Sequence, residues 1–273
     1  MLTSQRFVLS NDEGIFLDGS RRILAGQVPY RDFFILMGPG SFWLQAAALK
    51  LFGITLAASR LVTMLDLAVI ASCVFWLVAR GTNIALGAFT ALVCLILQTA
   101  DPVVALPNHR WDSSALAILA LTILSSRATP TWVFIAGACG AFAAWVTPTV
   151  GLVPLALLAY LIWQDRPRAL WFMCGGAIVS VTAIGVLAWQ HALGPMLQQM
   201  LWTGANYSQA NRMLYGTRFG GYRSLFAGAE GMEFAREDSS YLASHYLRFC
   251  LPFPYCSPGS REKRRLHNGP FRS

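Results

Sequence analysis

The stretch that decides the fold is DEGIFLDGSRRILAGQVPYRDFFILMGPGSFWLQAAALKLFGITLAASR, residues 12–60. It opens with two adjacent carboxylates, Asp12 and Glu13, and it is followed by a long run of strongly apolar sequence. Carboxylates beside a membrane are costly unless they stay at its surface, so we expect this pair to lie in a polar pocket where lipid meets water. We therefore interpret residues 1–58 as an external loop that carries the functional side chains.

Two surface helices are predicted within this loop. The apolar residues between positions 13 and 25 recur on one helical face, and Gly26 follows where a helix stop is expected. Residues 41–52 form the second helix, which at about 12 residues is too short to cross a bilayer, since crossing takes about 20. Asn11 or Asp12 could cap the first helix, a role compatible with any further function of Asp12.

Composition predicts a membrane protein. The chain has 273 residues, of which 55% are hydrophobic and 12% charged, and its mean hydropathy is +0.49. A soluble domain carries about 25% charged residues. The net charge of +8 does not indicate a nucleic-acid partner, because the basic residues are scattered in loops and clustered near the end of the chain.

After the external loop, apolar runs alternate with short polar breaks. The predicted fold is an all-α polytopic membrane protein, with residues 59–191 forming a bundle of about six transmembrane helices. The candidate spans are 59–79, 83–100, 113–126, 131–147, 149–164 and 169–191.

The polar breaks predict the topology. Four arginines stand at every second break: Arg80, Arg127, Arg166 and Arg168. The positive-inside rule places these arginines in the cytoplasm. Residues 12–58, residues 101–112 and everything after 191 then face outward. We expect a multi-pass protein of the inner (plasma) membrane whose site faces the extracytoplasmic side.

The loop at 101–112 is the second outward polar element, on the same side as Asp12. Asp112 either caps a helix through Ser113 and Ser114 or has a functional role. His109 and Asp112 are residue types that bind metals, but two residues do not make a site. The spacing of the six cysteines matches no metal motif, so no metal site is predicted.

Residues 192–252 are predicted to be an extracytoplasmic loop too polar to cross the membrane. Its aromatic residues stand among arginines that include Arg212 and Arg218. Such a mixture suits a sugar platform and a phosphate clamp, or an ordinary interfacial loop. Residues 253–273 form a basic tail. The apolar pattern stops abruptly near residue 252, and we interpret the tail as disordered or the product of a shifted or cut reading frame.

An ordered set of motifs resembles a known family. DEG at 12–14, GQVPYRDFF at 26–34, GPG at 38–40, LFG at 51–53 and the final Arg60 are together similar to the first external loop of bacterial C-type glycosyltransferases. These are relatives of the protein O-mannosyltransferases and aminoarabinose transferases. The resemblance is strong over 12–60, fair to about 225 and absent after about 252. Two departures are a missing span before Asp12 and the absence of a lysine around Pro148.

The resemblance implies a reaction and a set of site residues. The expected enzyme moves a sugar from a polyprenyl-phosphate donor to a hydroxyl of a glycan, lipid or protein acceptor, with inversion. Asp12 would be the base, with Glu13 the nearest substitute. No nucleotide-binding loop is present in the sequence, which favours the lipid-linked donor. The family is often helped by a divalent metal, but the cofactor stays unassigned. The candidate substrate-binding residues are Tyr30, Arg31, Asp32, Arg110, Asp112, Arg212 and Arg218.

Two alternatives remain open from the sequence. A transporter should carry ionisable residues within several spans, and here Asp66 is the clear example, near the end of its predicted span. An inactive truncated fragment of a glycosyltransferase is the other alternative, favoured by the missing first span and the altered tail.

Overall fold

The computed structural model describes residues 11–99, 106–126 and 129–210. All of the regular elements in those ranges are helices. Residues 1–207 form one compact unit, and the second unit, residues 208–273, lies almost wholly outside the described ranges. The helices are α1 (Asn11–Leu24), α2 (Gly40–Phe52), α3 (Leu56–Gly81), α4 (Ile84–Thr99), α5 (His109–Ser125), α6 (Pro130–Val146), a 3-10 turn (Pro148–Gly151), α7 (Leu152–Gln164), α8 (Arg166–Trp189) and α9 (Leu193–Ala210).

The prediction of an all-helical chain is confirmed for the described residues. Each of the six apolar segments coincides with one of the helices from α3 to α8, with bounds that differ by a few residues. Two of them, α3 and α8, are long and apolar enough to cross a membrane. The helices α4 and α6 and the segment 148–164 are apolar but shorter. Six membrane crossings therefore remain a prediction.

The apolar helices expose large apolar side chains. Leu97 on α4, Leu155 on α7 and Val181 on α8 are all more than 60% exposed. Trp163 and Trp189, at the C-terminal ends of α7 and α8, are 88% and 83% exposed. Extended apolar surface of this kind is unusual on a soluble monomer, and tryptophans at helix ends are typical of the interface between lipid and water.

The two helices predicted within residues 1–58 are present as α1 and α2. Gly26 follows α1 with a φ of 86°, and Gly53 follows α2 with a φ of 89°. Glycine adopts this left-handed conformation at little cost, and so it commonly stops a helix. The helix stop predicted at Gly26 is thereby confirmed.

One apolar core joins the N-terminal segment to the end of the bundle. Phe16 of α1 and Phe42 of α2 are buried with ring centroids 5.0 Å apart. Leu187 of α8 and Met196 of α9 belong to the same buried cluster. The segment around α1 and α2 is thus packed against α8 and α9.

The chain after residue 191 begins with a helix. In place of the expected polar loop, residues 193–210 form α9. Leu193, Met196 and Met200 recur at helical spacing and pack on the core described above. The Gln199 side chain accepts from the backbone N–H of Ile35 (3.1 Å) and donates to the carbonyl of Tyr30 (2.8 Å). The abundance of Asn, Gln and Tyr obscured this apolar stripe in the sequence.

Glycines allow α6 and α8 to approach closely. A Cβ atom at Gly137 would overlap the carbonyl oxygen of Phe172, and one at Gly175 would overlap the carbonyl oxygen of Phe134. Small residues are the usual device by which membrane helices bring their backbones together. The glycine pair therefore fixes the spacing of α6 and α8.

We predict that Gly175→Ala lowers the free energy of unfolding by about 1–3 kcal/mol, because the added methyl meets a backbone atom that cannot move cheaply. Gly185→Ala in the same helix is the matched control, since a Cβ there meets nothing within 4 Å. The control should be neutral or slightly stabilising. Reversible unfolding of the purified chain in detergent measures both, and equal stability of the two variants would contradict the close packing.

Candidate active site

The first turn of α1 places two adjacent carboxylates in opposite environments. Glu13 is fully buried, with 0% exposure, whereas Asp12 is exposed. Successive residues of a helix point about 100° apart, so neighbours can face the core and the solvent. The pair predicted from the sequence thus divides into one interior and one surface carboxylate.

Glu13 forms a buried ion pair with Arg60 of α3. The distance from Arg60 Nε to Glu13 Oε1 is 2.6 Å, and that from Arg60 Nη2 to Glu13 Oε2 is 3.1 Å. Arg60 is itself only 4% exposed. A buried pair offsets its desolvation only when its geometry is good, and the two parallel hydrogen bonds provide that geometry. Because the Glu13 carboxylate is engaged in this way, Asp12 is the better placed base of the two.

Asn108 holds the Asp12 carboxylate. The Asn108 side-chain amide donates to Asp12 Oδ2 at 3.0 Å. The Asn108 Oδ1 atom accepts from the backbone N–H of Arg110 at 2.9 Å, which makes Asn108 the N-cap of α5. The two outward elements predicted from topology, around Asp12 and before Asp112, therefore meet. Asn108 was not predicted from the sequence, although an asparagine before a helical apolar run is a common N-cap.

His109 lies beside this contact. Its ring centroid is 6.1 Å from that of Phe16. Burial lowers the pKa of His109, the charge of Arg110 lowers it further, and the charge of Asp12 opposes both effects. The net effect favours the neutral imidazole. Its Nδ1 atom is buried and makes no hydrogen bond within the part of the chain that the structure describes.

Asp112 lies in the interior of the bundle, one turn into α5. It is 2% exposed and accepts a hydrogen bond from the Ser41 hydroxyl of α2. Its carboxyl group is also within hydrogen-bonding range of the Asp66 carboxyl on α3. The expectation that Asp112 caps α5 is wrong, because Asn108 occupies the cap. Asp112 instead connects three helices.

Asp66 is deeper in its helix than the sequence suggested. It stands ten residues after Leu56, the first residue of α3, which is about 15 Å along the axis at 1.5 Å per residue. The expectation that it lies near the end of its span is wrong, since α3 begins earlier than the predicted 59.

Tyr30, Arg31 and Asp32 hold the loop between α1 and α2. Tyr30 is buried with a φ of 66°, its hydroxyl donates to the Met37 carbonyl at 2.6 Å, and burial raises its pKa well above the usual value. The Arg31 guanidinium bonds Asp32 at 2.9 Å and lowers the pKa of that carboxyl. Arg31 also donates to the carbonyl of Gln190 at 3.1 Å. These contacts are structural, and a substrate contact by any of the three stays a prediction.

Three candidate substrate-binding residues remain, and the structure describes one of them, Arg110. Arg110 is exposed in the first turn of α5, two residues after Asn108. Arg212 and Arg218 lie outside the described residues. Across 11–99, 106–126 and 129–210, no group of three or more His, Cys, Asp or Glu side chains is placed to hold a metal.

The arrangement suits proton abstraction at the surface of the bundle. Asp12 Oδ2 is held by Asn108, while Oδ1 makes no hydrogen bond to any described residue. A carboxylate with one oriented and one available oxygen can accept a proton from a hydroxyl that approaches within about 3 Å. Comparison with known proteins adds nothing to this geometry, because no family model, curated protein or solved structure matches the chain.

We predict that Glu13→Gln lowers the free energy of unfolding by about 3–5 kcal/mol, because it leaves the buried charge of Arg60 without its carboxylate. Asp18→Asn is the matched control on the same helix, since it weakens only the exposed pairs with Arg21 and Arg22, at 3.4 Å and 2.7 Å. That change should cost less than about 1 kcal/mol. Similar losses in the two variants would show that the Glu13–Arg60 pair has no special role.

Proposed function

We propose that this chain is a membrane glycosyltransferase that moves a sugar from a polyprenyl-phosphate donor to an acceptor hydroxyl on the extracytoplasmic side. The observation that carries the proposal is the exposed Asp12 carboxylate, held by Asn108 at the surface of an otherwise apolar bundle. The motif resemblance of residues 12–60 adds to it independently.

Membrane placement of the bundle is supported by α3. The helix has 26 residues, which corresponds to about 39 Å and exceeds the 30 Å hydrocarbon core of a bilayer. At its C-terminal end Arg80 stacks over Trp76, with its guanidinium carbon 5.0 Å from the ring centroid. An arginine with a tryptophan at a helix end is typical of the cytoplasmic interface. Asp12, linked to the opposite end of α3 through Glu13 and Arg60, then faces outward.

In the proposed reaction, Asp12 is the general base. The acceptor hydroxyl loses its proton to Asp12 while its oxygen attacks the anomeric carbon of the sugar. The bond from that carbon to the phosphate oxygen breaks, and attack from the opposite face inverts the anomeric centre. The departing phosphate gains negative charge and needs cations already in place. Arg110 is the nearest exposed candidate along the chain, and Arg212 and Arg218 are the others.

A lipid-linked donor fits the exposed surface of the bundle. Polyprenyl chains are hydrocarbon and remain in the bilayer, so the donor would approach along the apolar faces of the helices rather than through water. The sugar and phosphate would then stand at the level of Asp12. The acceptor can be any hydroxyl-bearing glycan, lipid or protein that reaches the same surface.

A transporter-like function is the second candidate, and one observation favours it. Asp66 and Asp112 form an ionisable pair between α3 and α5, well inside α3. Ionisable groups at such depth commonly mark a path for ions or substrates. Sugar transfer that depends on Asp12 separates the two functions, because a transporter needs no base at the surface.

We predict that Asp12→Asn lowers sugar transfer by about 10²–10⁴-fold, the usual contribution of a general base. The substitution is nearly isosteric, so the fold should persist. Transfer is measured in membranes from cells that make the chain, with a panel of polyprenyl-phosphate sugars as donors. Asp18→Asn on the same helix is the control and should retain full transfer. Equal transfer by Asp12→Asn and the unchanged chain would remove Asp12 from the base role.

A further inference from the structure

A seam of polar side chains runs between α2 and α3. Ser41 and Gln45 are four residues apart on α2, and Ser59, Thr63 and Asp66 are four and three apart on α3. Such spacings place residues on one helical face. Four of the five side chains are at most 1% exposed, and Asp66 is partly buried. The seam is therefore an interior feature, distinct from the exposed Asp12.

The contacts of Asp112 bring the two halves of the seam together. Asp112 contacts both Ser41 of α2 and Asp66 of α3, so these two side chains lie close to each other. Gln45 is one helical turn after Ser41 on α2, and Thr63 is about one turn before Asp66 on α3. Three residues, 53–55, separate the end of α2 at Phe52 from the start of α3 at Leu56.

Several buried side-chain oxygens in the seam have no hydrogen-bond partner. Gln45 Oε1, Ser59 Oγ, Thr63 Oγ1 and Asp66 Oδ2 are buried without a hydrogen-bond partner in the ranges that the structure describes. The Asp66 and Asp112 carboxyls are within hydrogen-bonding range of each other, and Asp66 Oδ2 is the oxygen of that pair left without a partner. A buried polar oxygen without a hydrogen bond is destabilising, and native proteins rarely leave several together. A bound cation would satisfy several of these oxygens at once.

We infer that this seam binds a small hard cation through oxygens of Gln45, Thr63, Asp66 and Asp112, with Ser41 holding Asp112 in place. Carboxylate, amide and hydroxyl oxygens are the ligands of Na⁺, Ca²⁺ and Mg²⁺ rather than of zinc, which prefers sulfur and imidazole. Thr63 lies about one turn before Asp66 on the same face of α3, and its hydroxyl is buried without a hydrogen-bond partner among the described residues. The inference stands apart from the proposed sugar transfer.

A cation here would fasten three helices together. Asp112 lies four residues after Asn108, which is about one helical turn below the contact with Asp12. The ion would join α2, α3 and α5 beneath the surface site and so fix the end of α5 from which Asn108 reaches Asp12. Its role is therefore to hold the bundle, and no chemical step passes through it.

The test is the unfolding temperature of the purified chain in detergent, after treatment with a chelator, in choline chloride at constant ionic strength. Na⁺, Li⁺, Mg²⁺ and Ca²⁺ are added separately, with K⁺ as the larger control ion. We expect at least one small cation to raise the unfolding temperature with a saturable dose dependence, by about 5–10 °C at a hundredfold excess over its Kd. The response to monovalent or divalent ions identifies the charge of the occupant.

Variants at the proposed ligands distinguish cation binding at this site from a general effect of salt on stability. Asp66→Asn should abolish the response, and the exposed Asp18→Asn should leave it intact. If Asp66→Asn fails to fold, Thr63→Val tests cation binding in its place. It removes a hydroxyl that makes no hydrogen bond within the described residues. It should fold normally and bind the cation about tenfold more weakly or worse.

Two results would overturn the inference. One is an unfolding temperature that responds equally to every salt, K⁺ included. The other is a cation response that Thr63→Val and Asp66→Asn both leave unchanged. Either result would mean that Asp66 and Asp112 share a proton and that no ion lies between them.

Discussion

The structure depends on the pairing of Glu13 with Arg60. An arginine near the start of an apolar helix and a carboxylate in the first turn of α1 are both almost fully buried, and neither charge is tolerable in such a setting without the other. Their two hydrogen bonds fix α1 against α3. Once Glu13 faces inward, the helical geometry turns Asp12 outward. A buried ion pair thus determines where the exposed carboxylate of Asp12, the proposed base, lies.

The N-terminal end of α5 serves both the surface and the interior. Asn108 caps the helix and holds Asp12, while Asp112, one turn further on, contacts Ser41 of α2 and Asp66 of α3. The carboxylates therefore lie at increasing depth, from the exposed Asp12 to Asp66 inside the bundle. The exposed carboxylate of Asp12 is accessible from solvent, whereas the carboxyl groups of Asp112 and Asp66 connect helices inside the bundle.

Local sequence patterns predicted the helices well because apolar runs and glycine stops are local signals. They failed at α9, where polar residues masked the apolar stripe that includes Met196. The partners of Asp12 and Glu13 were not predicted, since Asn108 and Arg60 are 96 and 47 residues away in the chain and no local pattern specifies such pairs. The cost of a lone arginine at the edge of an apolar run was the one available signal for the Glu13–Arg60 pair.

The measurement that tests the account most directly is cysteine labelling in intact cells with a membrane-impermeant maleimide. Single cysteines replace Asp18 on α1, whose side chain is 46% exposed, or exposed Asn83 after α3, in a chain whose native cysteines are replaced by serine. We predict that a cysteine at position 18 is labelled from outside and that one at position 83 is labelled only after lysis. Labelling of position 83 in intact cells, with position 18 protected until lysis, would contradict an outward-facing Asp12 and the function built on it.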